Sequence, residues 1–495
     1  MPKKTPILYS ALLLTGVNLL LRLVSTSFQV YISGKIGAAG VGLLQLVLSV
    51  GGMAMTAGIA GIRTATMYLT AAELGRNRKE NVCHILSACF LYSILCSGTV
   101  ALCLYWFAPQ IAVSWIGNAQ SADAIRLLAA FLPVCCLCGV MSGYFTAAGK
   151  IGTLAAVQVA EQIVSMAVTL SALTFWAENS PEKACSAVVF GSSTGACLTL
   201  FLLSLLRILE RAPKGNSFPI RKKLLEAAVP LAIADDCKVG INTVENLMVP
   251  KRLALYAGAA NPLAMFGTVC GMVFPILMFP AAIVFSLAEL LIPEMARCSA
   301  AGSKIRIRYL TGRSLRIVLI YGCVCGGILF ILSEFLCSRL YSNSDAGKHL
   351  ALYAFLAPML YCDSIVDAIN KGLGQQKIAV RYNILTAILD VLFLFILLPK
   401  YGMNGYFISF LITHLLNFIL SLRLLIRSSD ISIVPKVPIL TALAAIGALL
   451  ISSGISGNFI CCAAFLAVFI SLLTLLGIVN REDLNWLWGL IRRKS

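Results

Sequence analysis

The sequence predicts an all-α, polytopic membrane protein of about 14 transmembrane helices, arranged as two six-helix lobes followed by two C-terminal helices. Of its 495 residues, 59% are hydrophobic and 12% are charged, and the mean hydropathy is +0.90. Apolar runs of roughly 20 or more residues recur along almost the whole chain, each long enough to cross the ~30 Å hydrocarbon layer. The connections between these runs are about a dozen residues or fewer, which leaves no room for a soluble domain.

The apolar runs define the predicted spans in chain order. They are 7–33, 40–72, 82–108, 123–149, 152–177, 185–210, 223–250, 262–296, 309–337, 348–373, 377–399, 403–427, 437–456 and 458–480. The first run follows two lysines but is about 25 residues long and lacks a cleavage pattern of small residues, so it predicts a transmembrane helix rather than a signal peptide. The predicted division is an N-terminal lobe at 1–210, a cytoplasmic linker at 211–223, a C-terminal lobe at 224–427, spans thirteen and fourteen at 428–480 and a cytoplasmic amphipathic tail at 481–495.

The distribution of basic residues predicts the orientation. With a cytoplasmic N-terminus, about 28 Lys and Arg residues fall in inner segments and about 8 in outer ones. Both termini are therefore expected in the cytoplasm, which requires an even number of spans. The net charge of +18 follows the same rule and does not indicate nucleic-acid binding.

The two lobes are predicted to be parallel repeats offset by about 220 residues. Spans four and ten each end in a short glycine–lysine turn, at 143–150 and 367–377. Spans two and eight each end in a glutamate followed by a basic loop, at Glu73 and Glu294. Parallel repeats of this kind build two lobes with a binding site between them.

Polar faces on the first helix of each lobe, together with one further cation, predict the substrate site. The first helix carries Thr15, Asn18, Arg22, Ser25 and Gln29 at helical spacing, and the seventh carries Asp235, Lys238, Asn242, Glu245 and Asn246. A cation within a span is costly unless it faces protein or water, so these faces and Arg63 are expected to line a cavity and bind an anionic group such as a phosphate. The predicted substrate-binding residues are Asn18, Arg22, Gln29, Arg63, Asp235, Lys238, Asn242 and Glu245. Hydroxyl and amide stripes also serve helix packing, which is the alternative for Thr15 and Ser25.

Acidic residues inside the later spans are candidates for ion coupling. These are Glu289, Asp363 and Asp367, with capping or snorkelling near the inner surface as the alternative for Asp367. No cofactor is expected beyond a coupling H⁺ or Na⁺. The cysteines lie mostly in apolar runs without zinc spacing, the three histidines are isolated, and no Walker-type loop indicates ATP as the energy source.

Four short motifs carry a resemblance to a known family. They are Arg22-Leu-Val-Ser25, Ile36-Gly-Ala-Ala-Gly-Val-Gly-Leu-Leu-Gln45, Val249-Pro-Lys-Arg-Leu253 and Gly271-Met-Val-Phe-Pro275. In order and spacing the chain resembles the multidrug/oligosaccharidyl-lipid/polysaccharide (MOP) exporter superfamily, and within it the stage V sporulation protein B-like polysaccharide flippases, which are related to the lipid II flippases. Ser25, Gln29 and Leu44 depart from that family's glycine, basic and aromatic residues.

The resemblance implies a MATE-like, two-lobed transporter of the bacterial cytoplasmic membrane that flips an undecaprenyl-(pyro)phosphate-linked saccharide or peptidoglycan precursor by alternating access. It implies cell-wall or sporulation polysaccharide synthesis, lipid-linked substrate and membrane lipids as partners, and a monomer. The alternative is an H⁺- or Na⁺-coupled multidrug exporter of the same fold, with Asp235, Glu245 and Glu289 as coupling acids. An integral membrane enzyme would need a cluster of acids or histidines at one membrane face, so we expect no enzymatic activity. The sugar, the coupling ion and the oligomeric state stay open.

Overall fold

The described part of the chain is helical throughout. The structure is a computed structural model that describes residues 7–59, 61–75, 78, 80–176, 180–209, 221–429, 436–455 and 457–478. Its helices are α1 Ile7–Ile59, α2 Ile62–Gly75, α3 Asn81–Ile111, α4 Ala122–Ala147, α5 Ile151–Trp176, α6 Pro181–Leu209, α7 Arg221–Leu253, α8 Pro262–Phe266, α9 Phe274–Met278, α10 Ala281–Ala300, α11 Lys304–Tyr341, α12 Ser344–Ala354, α13 Ala357–Gly372, α14 Gln376–Ser429, α15 Lys436–Ser452 and α16 Asn458–Leu475. These described ranges contain no strand, which confirms the all-α prediction.

Two glycines break the longest helices. Gly37 in α1 has φ 69° and ψ 174°, and Gly402 in α14 has φ 59° and ψ −138°. Both lie in the left-handed half of backbone space, where a side chain would be strained. Each break divides one continuous helix into two spans, and the break at Gly37 falls in the glycine-rich turn that the sequence places between spans one and two.

Prolines and a third glycine break three further predicted spans. The predicted span 262–296 is bent by 62° between Met278 and Ala281, and the span 348–373 is bent by 55° between Ala354 and Ala357. Pro280 and Pro358 lie at these bends, where proline removes a backbone donor and crowds the preceding turn. The second predicted span is interrupted between α1 and α2, next to Gly61 with φ 70°.

The helices account for the predicted number of spans. Eight helical segments in the described ranges are long and apolar enough to cross a membrane, and two bent pairs raise this to ten. Two of the eight, Leu19–Leu74 and Gln376–Ser429, contain the breaks at Gly37 and Gly402 and supply two spans each. With α7 and α15, the described chain has the fourteen spans that the sequence predicts.

Contacts divide the chain into two compact units. The first comprises Met1–Gly271 and Asp390–Tyr406. Its core is built mainly from α2 to α6, where the buried side chains include Ile62, Ile85, Phe145 and Leu203. Helix α7 packs against α1 and α2 in this unit.

The second unit comprises Met272–Leu389 and Phe407–Ser495. Here α10 packs against α13, and α11 packs against α12, α13, α15 and α16. Phe465 and Phe469 of α16 are fully buried in a cluster with Cys323 of α11 and Ala448 of α15. Thus α15 and α16 are anchored on α11.

These units differ from the predicted lobes because the first of them includes α7. The lobe boundaries at 1–210 and 224–427 stay a prediction. Most of the predicted linker 211–223 and the predicted tail 481–495 lie outside the described residues.

Candidate functional site

Helix α7 is the most polar of the long helices and carries most of the predicted site. Its 33 residues span about 50 Å, enough to cross a bilayer, yet it is not among the helices apolar enough to do so by composition. A membrane-length helix with this many charges needs a wet or protein-lined face. Asp235, Lys238 and Asn242 supply that face, because all three are exposed at spacings of three and four residues.

Hydrogen bonds to α1 set how α7 is rotated. Asn246 Nδ2 donates to Ser49 Oγ at 3.0 Å, and the Thr243 hydroxyl lies 3.2 Å from the Ser49 carbonyl oxygen and 2.9 Å from the Val239 carbonyl oxygen of its own helix, so the two carbonyls share its proton. Asn246, which the sequence places on the polar face, therefore serves packing. The same contacts leave Asn242 on the open side of the helix.

The predicted residues of α1 have different environments. Arg22 is exposed. Gln29 is half-buried, and its Nε2 donates to the Gly271 carbonyl at 3.4 Å, inside the same unit. Gln29 therefore helps to hold α1 on the helical turn 267–273. The side chain of Asn18 lies outside the described residues.

Arg63 begins α2 beside two glycines of α4. A Cβ atom on Gly143 would lie 2.5 Å from the Arg63 carbonyl oxygen, whereas one on Gly139 would lie 3.8 Å from Arg63 Cβ. The bare backbone at Gly143 thus lets α2 approach α4 closely. The Arg63 side chain is exposed. Since α7 packs against both α1 and α2, the three predicted cations, Arg22, Arg63 and Lys238, lie on helices in contact, each with its side chain exposed.

Glu245 has an acidic partner. Its carboxyl group lies next to that of Asp390 on α14, which is only 5% exposed. A hydrogen bond between two carboxyl groups requires a proton on one of them. Cys270 lies next to the pair, on the π-helical turn Gly267–Val273. Its thiol is 3.7 Å from the Tyr406 hydroxyl. Such turns are frequent at functional sites.

The sequence did not single out this pair. Asp390 could be seen only as one of several acids inside spans, because no spacing links it to Glu245. Its burial in a long apolar segment, 376–399, was the signal that could have marked it.

The predicted coupling acids of the second unit do not form one cluster. Asp367 pairs with Lys371 at 2.6 Å, one turn along α13. Asp363 Oδ2 accepts a hydrogen bond from Asn417 at 3.3 Å. Glu289 is exposed on α10. Within the described ranges, no group of three or more His, Cys, Asp or Glu residues could hold a metal ion.

Comparisons with known proteins show which proteins share this fold. Residues 14–171 match the MatE family. The chain is similar to the inward-facing structure of a multidrug resistance MATE family transporter of the MOP superfamily, with a TM-score of 0.70, 14% identity, and coverage of 84% of this chain and 98% of that one. The fold is therefore that of the MOP transporters, and the resemblance identified from the sequence is confirmed.

Two further proteins are similar to the chain over most of its length. Over 424 residues the chain is 23% identical to the stage V sporulation protein B of Bacillus subtilis (strain 168), covering 81% of this chain and 80% of the relative. The lipid II flippase MurJ, in an inward closed conformation, matches with a TM-score of 0.69 and 12% identity over 94% of this chain and 98% of its own. Over most of its length the chain thus has the multi-span fold of these membrane proteins.

Proposed function

We propose that the chain flips an undecaprenyl-(pyro)phosphate-linked saccharide or peptidoglycan precursor across the bacterial cytoplasmic membrane by alternating access. The observation that carries the proposal is the extent of the structural match. The lipid II flippase covers 94% of the chain and the drug transporter 84%, a difference of about 50 residues, which is the size of 428–480. The match to a stage V sporulation protein over 81% of the chain supports the same choice.

The exposed cations of the first unit fit a phosphate-bearing head group. A guanidinium group binds phosphate through two parallel hydrogen bonds, and an ammonium group acts as a point charge. Arg22, Arg63 and Lys238 would hold the (pyro)phosphate, while Asp235 and Asn242 would bind sugar hydroxyls. Asn18 and Gln29 complete the proposed binding set, and the lipid tail stays in the bilayer. The protein acts as a monomer with both termini in the cytoplasm.

Coupling to H⁺ or Na⁺ is assigned to Glu245 and Asp390. A buried carboxyl pair can release its shared proton when the cavity opens to a compartment of lower proton concentration, or exchange the proton for a cation. Glu245, expected from the sequence to bind substrate, is thus better placed to drive transport. Glu289, Asp363 and Asp367 remain secondary candidates for coupling.

Reconstitution tests the proposal. Proteoliposomes containing a polyprenyl-pyrophosphate saccharide are assayed for accessibility of the head group from outside. We expect Arg22→Gln and Lys238→Gln each to slow flipping at least about tenfold, because each removes a charge-assisted contact to phosphate. The matched control is Arg339→Gln, an exposed cation in the last turn of α11. Wild-type protein that flips no polyprenyl-linked saccharide contradicts the proposal.

The second candidate is a cation-coupled multidrug exporter. It is favoured by the Glu245–Asp390 pair and by the match to the MATE transporter. The same proteoliposomes distinguish the two functions, since export of organic cations, insensitive to loss of Arg22, would support the exporter.

A further inference from the structure

The second unit contains a deep groove that the proposed transport site does not use. It has a volume of about 820 Å³, within the range of pockets that hold small-molecule ligands. Its walls come from α11, the bend between α12 and α13, α13, the later part of α14, and α15. All of its lining residues belong to the second unit, so the groove is a feature of that unit alone.

One end of the groove is cationic. Arg308, Arg313 and Arg316 line it within the first four turns of α11, and the lining residues include no acidic side chain among those that the structure describes. Arg308 is exposed and the other two are half-buried. Arg313 Nη1 donates to the hydroxyl of Tyr309, another lining residue, which orients its guanidinium group at this end.

The rest of the groove is apolar and open to the surface. Beyond Arg316 the lining passes through Leu319 to Gly327 on α11. Phe355 is 55% exposed, Leu415 42% and Ile446 50%, so three different walls present apolar side chains at the opening. In a membrane-spanning segment such an opening faces the acyl chains.

The dimensions identify the occupant. From Arg308 to Gly327 the α11 wall rises about 28 Å, of which the last eight residues, from Leu319, account for about 12 Å. One leaflet contributes about 15 Å of hydrocarbon. A cationic mouth followed by an apolar trough of one leaflet's depth fits a phosphate-bearing lipid whose chains end at the bilayer midplane. A polyprenyl tail is not limited to the depth of one leaflet.

We infer that this groove binds an anionic glycerophospholipid, with its phosphate on Arg308, Arg313 and Arg316 and an acyl chain along α11 toward Gly327. The lipid comes from the leaflet at the start of α11, which the positive-inside pattern assigns to the cytoplasm. Arginine clusters at the edge of a transmembrane segment attract anionic lipids electrostatically and bind their phosphates directly. The inference does not depend on the transported substrate.

Two variants test the groove. Arg313→Gln with Arg316→Gln removes the charge. Gly312→Leu narrows the cationic end, where a bulky side chain would obstruct the entry of a lipid, and a Cβ atom on Gly312 meets nothing within 4 Å, so the substitution causes no clash of its own. The matched controls are Arg339→Gln, at the other end of α11, and Gly152→Leu in α5, where a Cβ atom also meets nothing within 4 Å.

Lipid binding is measured on the full-length protein in detergent by native mass spectrometry. The probes are phosphatidylglycerol, phosphatidylcholine, a polyprenyl phosphate and inorganic phosphate. We expect the wild-type protein and both controls to prefer phosphatidylglycerol over phosphatidylcholine at least about tenfold, because the choline ammonium of phosphatidylcholine offsets the attraction of its phosphate to the three arginines, whereas phosphatidylglycerol keeps a net negative charge. The arginine variant should lose this preference, and Gly312→Leu should weaken binding of both phospholipids.

Three results would overturn the inference. One is unchanged binding of phosphatidylglycerol in both groove variants. A second is displacement of phosphatidylglycerol by an equal concentration of polyprenyl phosphate, which would assign the groove to a substrate tail. A third is equal competition by inorganic phosphate, which would show a phosphate site without a lipid trough.

Discussion

The carboxyl groups of Glu245 on α7 and Asp390 on α14 lie next to each other, and Asp390 is almost fully buried. Two carboxylates in contact repel each other strongly, and sharing a proton relieves that repulsion. The proposed coupling to H⁺ or Na⁺ depends on this pair. This relationship joins residues far apart in the chain inside one compact unit.

Neutralising the pair should uncouple transport. We expect Glu245→Gln or Asp390→Asn to lower flipping driven by an imposed H⁺ or Na⁺ gradient at least about tenfold, since neither variant can exchange the shared proton. The measurement is the initial rate with and without the gradient. Glu161→Gln is the control, because Glu161 accepts its hydrogen bond from the Thr199 hydroxyl at 2.7 Å rather than from an acid. Gradient-driven transport that survives both substitutions would exclude the pair from coupling.

Substitutions of Asn246 and Asn242 should have different effects, the first on the packing of α7 and the second on substrate binding. Asn246→Ala removes the bond to Ser49 and should cost about 0.6 kcal/mol, the average for such interhelical contacts, lowering the melting temperature by about one degree. Asn242→Ala, on the exposed face, should leave melting unchanged and reduce flipping. Thermal unfolding in detergent and the flipping assay measure the two effects. The reverse pattern would mean that the orientation of α7 is misassigned.

Gly143 and Gly139 form a matched pair one turn apart on α4. Gly143→Ala places a methyl group 2.5 Å from the Arg63 carbonyl oxygen, which is backbone and must shift, whereas Gly139→Ala makes an ordinary contact at 3.8 Å. We expect the first substitution to cost about 1–3 kcal/mol of stability and to displace Arg63, and the second to be nearly neutral. Melting temperature and substrate affinity report both. Equal tolerance of the two alanines would contradict the close approach of α2 and α4.

Gly327 should be essential for docking α16. A Cβ atom there would overlap the ring of Phe465, a fully buried residue. Gly327→Ala is expected to destabilise the α11–α16 contact by about 1–3 kcal/mol, while Gly312→Ala, into open space on the same helix, should not. Accessibility of a cysteine introduced at Leu473, which is only 2% exposed, to a thiol reagent, on a background without native cysteines, would report detachment of α16. No increase in labelling would argue against this packing.

The sequence predicted the all-α fold and the number of spans, because apolar length and the cost of unpaired backbone groups in lipid leave few alternatives. It also placed the break near Gly37. It missed the break between α1 and α2 and the bends near Pro280 and Pro358. A continuous apolar run does not show whether a proline within it kinks the helix or whether packing against neighbouring helices keeps the helix straight.

For the candidate site, the sequence identified which residues are costly in a membrane but not their partners. Arg22, Arg63 and Lys238 were visible because a charge in an apolar run is conspicuous. Asn246 and Asn242 looked equivalent, and only the bonds to Ser49 separate them.

Composition and periodicity alone determined that this chain spans the membrane many times and carries polar faces on its first and seventh helices. The free energy of moving an apolar segment from water into the bilayer depends mainly on that segment's own residues. Membrane spans can therefore be predicted from the local sequence. Tertiary structure alone decided that Asp390 meets Glu245 and that three arginines close one end of an apolar groove. Both features bring together helices that are distant in the chain. Their geometry depends on how side chains of different helices pack, which no local sequence pattern predicts.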